Sequence, residues 1–392
     1  MVALVLTTWL YFTGSQIRAL AVPLLAADLG ANRFEVGLIA GAFSLAAAAA
    51  STPLGRLSDH WGRRRVILIT ILTGGLASLL MSSLSTVIWL YALMALAGLS
   101  TGGFLPTAMA LTGDTVPEAQ RGQGYAWLTL AAHVGLSLGP AVGGVLLYRL
   151  DFSPTFVASA TGFGLAWLLA WRFVFNASLD DAFGLTVEGA ASQDEPTSHP
   201  SLSDLLHNRR VVAVWVATIG LASGTGTVVS LLPLYAVEAS YLPQTIGLVL
   251  ATYSAVNALI RIPIGPLAND RARRGVWIPG SLLVFAAVLA SVTQPGNAVW
   301  LSVWLAGGAM AVGTAYVCLL TELSDAVTPA MRGLAMGGYS TVLYLGFAAG
   351  PVITGAVAQA WGFTWGFGIV GLIVAAAAGA TWLVSAGGRA TR

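Results

Sequence analysis

Polar breaks recur along this chain at near-regular intervals, and between them run apolar stretches long enough to cross a lipid bilayer, twelve times over. An α-helix needs roughly 20 apolar residues to span the ~30 Å hydrocarbon layer. In that layer every backbone N–H and C=O must find a partner within the protein, which leaves helices or closed barrels. The short alternating segments of a barrel are not found here, so the helical solution stands. Composition agrees: 57% of residues are hydrophobic and 9% are charged, against about 25% charged in soluble domains. The breaks predict spans near 2–27, 35–54, 66–84, 87–113, 124–147, 154–175, 210–235, 244–264, 276–293, 298–323, 333–358 and 364–385. The fold class is therefore an all-α polytopic membrane protein. The first apolar stretch lacks the basic start and short core of a signal peptide and reads as a first span.

One long polar segment, 176–208, interrupts the series after the sixth span. It divides the chain into an N-terminal bundle of six spans (1–175), a linker and a C-terminal bundle of six spans (209–392). The 18 basic residues are all arginine. If the first loop lies outside, fourteen of them fall inside and only Arg33 and Arg149 outside, with Arg18 and Arg261 within spans. That asymmetry places both termini and the linker in the cytoplasm. The net charge of +2 comes from inter-span loops and implies no nucleic-acid partner. The surrounding bilayer is the implied partner, and a monomer is expected.

The two halves repeat. Displaced by 210 residues, 8–66 aligns with 218–276 without a gap, matching Gly14 with Gly224, Pro23 with Pro233, Gly37 with Gly247 and Pro53 with Pro263. Arg63 and Arg64 meet Arg273 and Arg274 in this register. A displacement of 211 pairs Asp114 with Asp325, Arg121 with Arg332, and Gly139-Pro140 with Gly350-Pro351. Repeated bundles are a transporter architecture, with a substrate site expected between the repeats near mid-membrane.

Residues 55–64, GRLSDHWGRR, match the pattern G-x-L-x-D-x-x-G-R-R at every fixed position, and GPLANDRARR at 265–274 is a degraded copy with Asn269 in place of Asp59. In this loop, and in its placement between the second and third spans, the chain resembles the major facilitator superfamily. The resemblance implies twelve helices in two pseudo-symmetric bundles and transport by alternating access. It also implies a conformational gate. Gly55, Gly62 and Arg64 shape the loop, Asp59 faces the start of the eleventh helix at Arg332, and Arg63 pairs with Asp114, with Asp325 as the counterpart in the second half. A carboxylate beside a helix N-terminus is favoured by its unsatisfied amides.

GLSLGPAVGG, containing Gly135, Gly139, Pro140, Gly143 and Gly144 in span 5, is similar to a pattern associated in that superfamily with antiporters, notably proton-coupled drug exporters. Glycines permit close helix approach, and proline removes a backbone donor. Two departures stand against the likeness: Ala126 occupies the place of a further glycine in the longer pattern, and Met94, four residues before Gly98, stands where many such antiporters carry a helix 4 arginine.

Ionisable groups within spans are costly and mark candidate functional sites. Arg18 has Val228 as its repeat partner, so the symmetric scaffold does not require it, and a guanidinium suits a carboxylate-bearing substrate. His133 near mid-membrane and Glu322 near the end of span 10 are the proton-coupling candidates. For Glu322 a role as interfacial partner of Arg261, read as snorkelling at the inner end of span 8, is the alternative. Gln16, Tyr11, Tyr253, Asn257, Tyr316 and Tyr344 are candidates to line the substrate cavity. No span carries Asp or Glu at its centre, which disfavours lipophilic cations.

Cys318 is the single cysteine, and no HExxH, CxxC or Walker pattern occurs, so neither an enzyme nor a cofactor or metal site is expected. The leading expectation is a secondary active transporter of a small amphipathic solute, with proton-coupled efflux across a bacterial cytoplasmic membrane. The alternatives are an importer or facilitator of a small organic anion, and a sensor with a transporter fold.

Overall fold

A computed structural model describes residues 1–117, 120–174, 202–294, 296–328 and 331–387. Most of the predicted linker, 175–201, lies outside the described residues. Its end forms a short helix, Leu202–His207. The described chain is otherwise twelve long helices: α1 Val2–Asp28, α2 Arg33–Trp61, α3 Arg63–Met81, α4 Ile88–Thr115, α5 Arg121–Leu150, α6 Phe152–Leu169, α7 Arg209–Glu238, α8 Pro243–Leu267, α9 Arg271–Ser291, α10 Ala298–Ala326, α11 Arg332–Trp361 and α12 Phe363–Gly387. A π-turn, Ala170–Val174, extends α6.

The helix ends follow local chemistry. Asn32 and Glu35 form a reciprocal capping box at the start of α2, satisfying two otherwise orphaned donors. Asn208, Asp270 and Asn297 accept amide hydrogens at the starts of α7, α9 and α10. Gly62 turns the chain between α2 and α3 at φ 90°, a conformation that glycine adopts without steric penalty.

Eleven of these helices are both long and apolar enough to cross a membrane. α1 has the length, but Gln16 and Arg18 dilute its apolar character. It is nonetheless enclosed against α5 and α6, and Arg18 is 2% exposed.

The packing repeats as the sequence does. α1 lies on α5 and α6, α2 on α4, and α3 on α4 and α6. Likewise α7 lies on α11 and α12, α8 on α10, and α9 on α10 and α12. The halves meet through α2 with α11 and α5 with α8, again a symmetric pair, and through α1 with α7.

Glycine decides how closely. A Cβ on Gly37 would stand 2.3 Å from the Pro351 carbonyl oxygen, and its repeat counterpart Gly247 would meet the Pro140 carbonyl oxygen at the same 2.3 Å. Gly144 and Gly355 make the matching second contacts, against the Pro243 and Arg33 carbonyl oxygens at 2.5 and 2.4 Å. All four crossings lie at the end opposite the arginine-rich loops.

At the arginine-rich end no such crossing is found among the described glycines. Positions Gly55, Gly122, Gly265 and Gly337 would meet nothing within 4 Å. The apolar core divides accordingly. One cluster joins the C-terminal half to Leu20–Ala26, Val36 and Ile39 of the N-terminal half, while Leu4, Ile67, Phe104 and Leu128 belong to a separate cluster within the N-terminal half.

Candidate functional site: a charged gate and a polar cluster between the halves

Three groups of polar residues stand out, and they differ in what surrounds them. In the N-terminal half's arginine-rich loop, Arg63 forms an ion pair with Asp59 one turn before it, donates from Nε to Asp114 at 3.1 Å, and donates to the Ser58 hydroxyl at 2.5 Å. Asp59 and Asp114 remain 55% and 58% exposed. Among the described residues no ion pair joins Asp59 to Arg332, which is itself exposed. The carboxylate turns back to its own loop.

In the C-terminal half, Arg274 donates to Glu322 at 3.0 Å, to Asp325 at 2.5 Å and to the Ala268 carbonyl at 2.7 Å, and it is 1% exposed. Arg210 closes on the other oxygen of Glu322. Four charges thus tie α7, α9 and α10 together. Glu322 is held between two guanidinium groups and not by Arg261, because its position near the end of α10 brings it to Arg210 and Arg274. The geometry also corrects the repeat register in this loop. Arg274, not Arg273, occupies the place of Arg63, at the same 211-residue offset that relates Asp325 to Asp114. Arg273 instead pairs with the helix cap Asp270 at 3.2 Å.

Arg18 is enclosed within its own half, and Tyr11, bonded there too, stands within electrostatic reach of Tyr344 on α11. Arg18 donates to the Gly74 carbonyl at 3.2 Å, to the Ser78 hydroxyl at 3.0 Å and to the Ser15 hydroxyl at 3.3 Å, and lies over the Phe163 ring. It is walled in by α1, α3 and α6, with every donor arm directed at its own bundle. Tyr11 hydrogen-bonds Ser100 at 2.8 Å and stacks on Phe104 with ring centroids 3.9 Å apart. These contacts order the N-terminal core. Gln16 packs where α1 crosses Gly139 of α5.

The glycines of the span 5 motif divide their labour. Gly135, Gly139 and Gly143 admit the α1 backbone, while Pro140 and Gly144 form the crossing with α8. The motif is thus a two-sided packing surface, one side within the half and one between halves.

A third group does sit between the halves. Tyr253, Asn257 and Arg261 are spaced four residues apart along α8 and so share one face. Arg261 donates to the Asn257 amide oxygen at 2.8 Å, and its guanidinium lies 5.6 Å from the centre of the Tyr316 ring. Gly313 lets α10 come down on the Asn257 backbone, which is what carries Tyr316 over the arginine. Tyr339 of α11 stands within electrostatic reach, as does His133 of α5 from the other half. His133 Nδ1 lies 3.0 Å from the Thr129 carbonyl. A carbonyl only accepts, so Nδ1 carries the hydrogen and Nε2 is the ring nitrogen left for other partners. Arg261 Nε and the Tyr253 and Tyr316 hydroxyls are buried without a hydrogen-bond partner. Thr225 is near both phenols; its hydroxyl hydrogen goes to Leu221 in its own helix, and its oxygen can still accept from a phenol. Tyr344 is half-buried on α11.

Sequence reasoning named Tyr253, Asn257 and Tyr316 but assigned Arg261 to the lipid interface. The four-residue spacing that puts Arg261 on their helix face was available in the sequence. Arg33 and Glu238, which bridge α2 and α7 across the halves at the closed end, carried no pattern that would have joined them.

A twelve-helix bundle built from two repeats, closed at one end and carrying its polar cluster between them, defines a solute carrier of the membrane. The Major Facilitator Superfamily profile matches residues 4–243 and 214–390, and the chain belongs to that family. It is a transporter and not an enzyme. It is 24% identical over 359 residues to an MFS-type transporter of Methanocaldococcus jannaschii, covering 91% of this chain and 90% of that one. It is 26% identical over 356 residues to the multidrug resistance protein MdtG of Proteus mirabilis, covering 87% and 85%. A crystal structure of a bacterial homologue of the human lysosomal transporter Spinster, inward-facing and occupied, superposes with a TM-score of 0.80 at 15% identity, covering 98% of this chain and 96% of that one. That likeness establishes the fold.

Proposed function

We propose that the protein is a proton-coupled exporter of small amphipathic solutes, working by alternating access across a bacterial cytoplasmic membrane with both termini in the cytoplasm. The observation that carries it is the asymmetry between the two ends. The halves cross backbone to backbone at Gly37, Gly144, Gly247 and Gly355, and no such crossing is found among the described glycines at the arginine-rich end. With those loops cytoplasmic, this is the state that loads solute from inside. The multidrug resistance relatives support the outward direction. His133 is the proton carrier in this reading. It lies on an inter-half helix, its Nε2 is available, and it is near the charge of Arg261, so protonation there changes how the two halves attract.

The test is reconstitution into liposomes carrying an internal pH dye, with solutes added under opposed pH gradients. Solute-dependent proton movement that is lost in His133→Ala is the expected result. Solute flux without any proton movement would remove the coupling, and flux that runs only down the solute gradient would remove active export.

A further inference from the structure

The arginines of the C-terminal half are treated very differently by their surroundings. Arg210 and Arg274 are held by Glu322 and Asp325. Arg261 has an amide oxygen for a partner, an aromatic face beneath it and, among the described residues, no carboxylate in ion-pair distance. Its Nε hydrogen and two phenol hydroxyls are left unpaired at the same place. A buried donor without an acceptor costs about 1–3 kcal/mol, more for a charged one, and three gathered between the moving halves are poorly explained as packing. All three can donate, and a guanidinium flanked by hydroxyl donors is chemically complementary to a carboxylate, which accepts through two oxygens. Tyrosine rings alongside supply apolar area for the rest of a solute.

We propose that Arg261, with Tyr253 and Tyr316, is the recognition point for the carboxylate of a small amphipathic organic acid, and that the protein selects anionic solutes over cationic ones. Asn257 positions the guanidinium by accepting from Nη2, which leaves the Nε hydrogen unpaired for the ligand. The uncompensated positive charge repels lipophilic cations. The selectivity for anions thus resides at Arg261 in the C-terminal half and not at Arg18, whose donors are already used. The inference depends on the transport reading for what happens after binding, but not for binding itself.

A matched series separates the two. 4-Phenylbutyrate, 4-phenylbutanamide and 4-phenylbutylamine share one apolar body and differ in charge. Titration calorimetry on the purified full chain in nanodiscs is expected to show the acid binding about ten-fold more tightly than the amide, the ratio corresponding to one charge-assisted contact, with the amine weakest. Arg261→Gln should reduce the acid to the level of the amide. Arg261→Lys should restore part of the preference, and Tyr316→Phe should lower it about three-fold. Thermal unfolding of each variant checks that it is folded, and the acid-to-amide ratio in Tyr316→Phe serves if Arg261→Gln is not. No binding of the acid, equal binding of all three compounds, or an unchanged preference in Arg261→Gln would each overturn the site. Acid binding in nanodiscs without flux in liposomes would leave the site standing and sink the transport reading. Proton-linked flux of the amine at the rate of the acid would do the reverse.

Discussion

The two arginine-rich loops began as copies of one another and now sit in opposite surroundings. Asp59 and Asp114, the carboxylates paired with Arg63, are 55% and 58% exposed, while Arg274 and Glu322 are drawn into the C-terminal half at 1% and 16%, with Arg210 and the 52%-exposed Asp325 at the edge of that cluster. The difference lies in what each cluster can exchange. An exposed pair is replaced by water at little cost and can change partners. A buried network leaves an uncompensated charge when any member is removed. The C-terminal cluster thus ties three helices together, and the N-terminal one is the more readily exchanged for water.

The largest effect expected from this contrast is on stability. Glu322→Gln should destabilise the protein by about 3 kcal/mol, since it leaves Arg274 with Asp325 alone and takes from Arg210 its carboxylate. Asp114→Asn, its counterpart in the exposed loop, should cost under about 1 kcal/mol. Chaotrope unfolding of the two variants in detergent decides it. Equal losses would mean the burial difference has no energetic weight, and the contrast between the two clusters would fall.

Next in size is the closed end. Gly247→Val places branched carbon where the Pro140 carbonyl of the other half already lies. Overpacking costs about 1–3 kcal/mol, here charged only to the state in which α5 and α8 cross. The population should move roughly ten-fold or more toward the form open at that end, read by labelling of a cysteine introduced beside the crossing. Gly265→Val, the equivalent-sized change at the open end where nothing lies within 4 Å, should leave labelling there unchanged.

These contrasts show why some of the molecule could be read from sequence and some could not. Helix number and the two bundles follow from hydropathy and repeat, which are properties of neighbouring residues or of a fixed offset, while the pairing of Arg63 with Asp114 was implied by the family resemblance. Arg18 was legible as unusual but not as enclosed, because the carbonyl of Gly74 and the hydroxyl of Ser78 that take up its charge come from another helix. The partner of Glu322 was misread for the same reason: Arg210 and Arg274 reach it from α7 and α9. Which side of the bilayer boundary Arg261 occupies depends on Gly313 letting α10 settle onto α8, a packing event with no signature beyond a single glycine.

The smallest effects concern two exposed charges, one at each end. Arg33 reaches across the closed end to Glu238 and to the Ala358 carbonyl at 2.9 Å, and lies over Phe363, while its repeat position is Pro243. Asp59 lies at the arginine-rich end, and at the 211-residue offset that relates Arg63 to Arg274 its counterpart is Asp270, the cap of α9. Both side chains are substantially exposed, so each is worth about 0.5–1 kcal/mol in the balance of states. Arg33→Gln should therefore shift the protein two- to five-fold toward opening at its own end, and raising the salt concentration should diminish that shift. Asp59→Asn should shift it by a similar factor the other way, by withdrawing a contact made when the arginine-rich end closes. The double variant should return close to the starting balance, because the sites are at opposite ends and share no partner. Interspin distances between labels on α2 and α8 at each end would measure all three. Shifts of the same sign in the two single variants would show that these charges stabilise the bundles themselves and do not arbitrate between the two open forms.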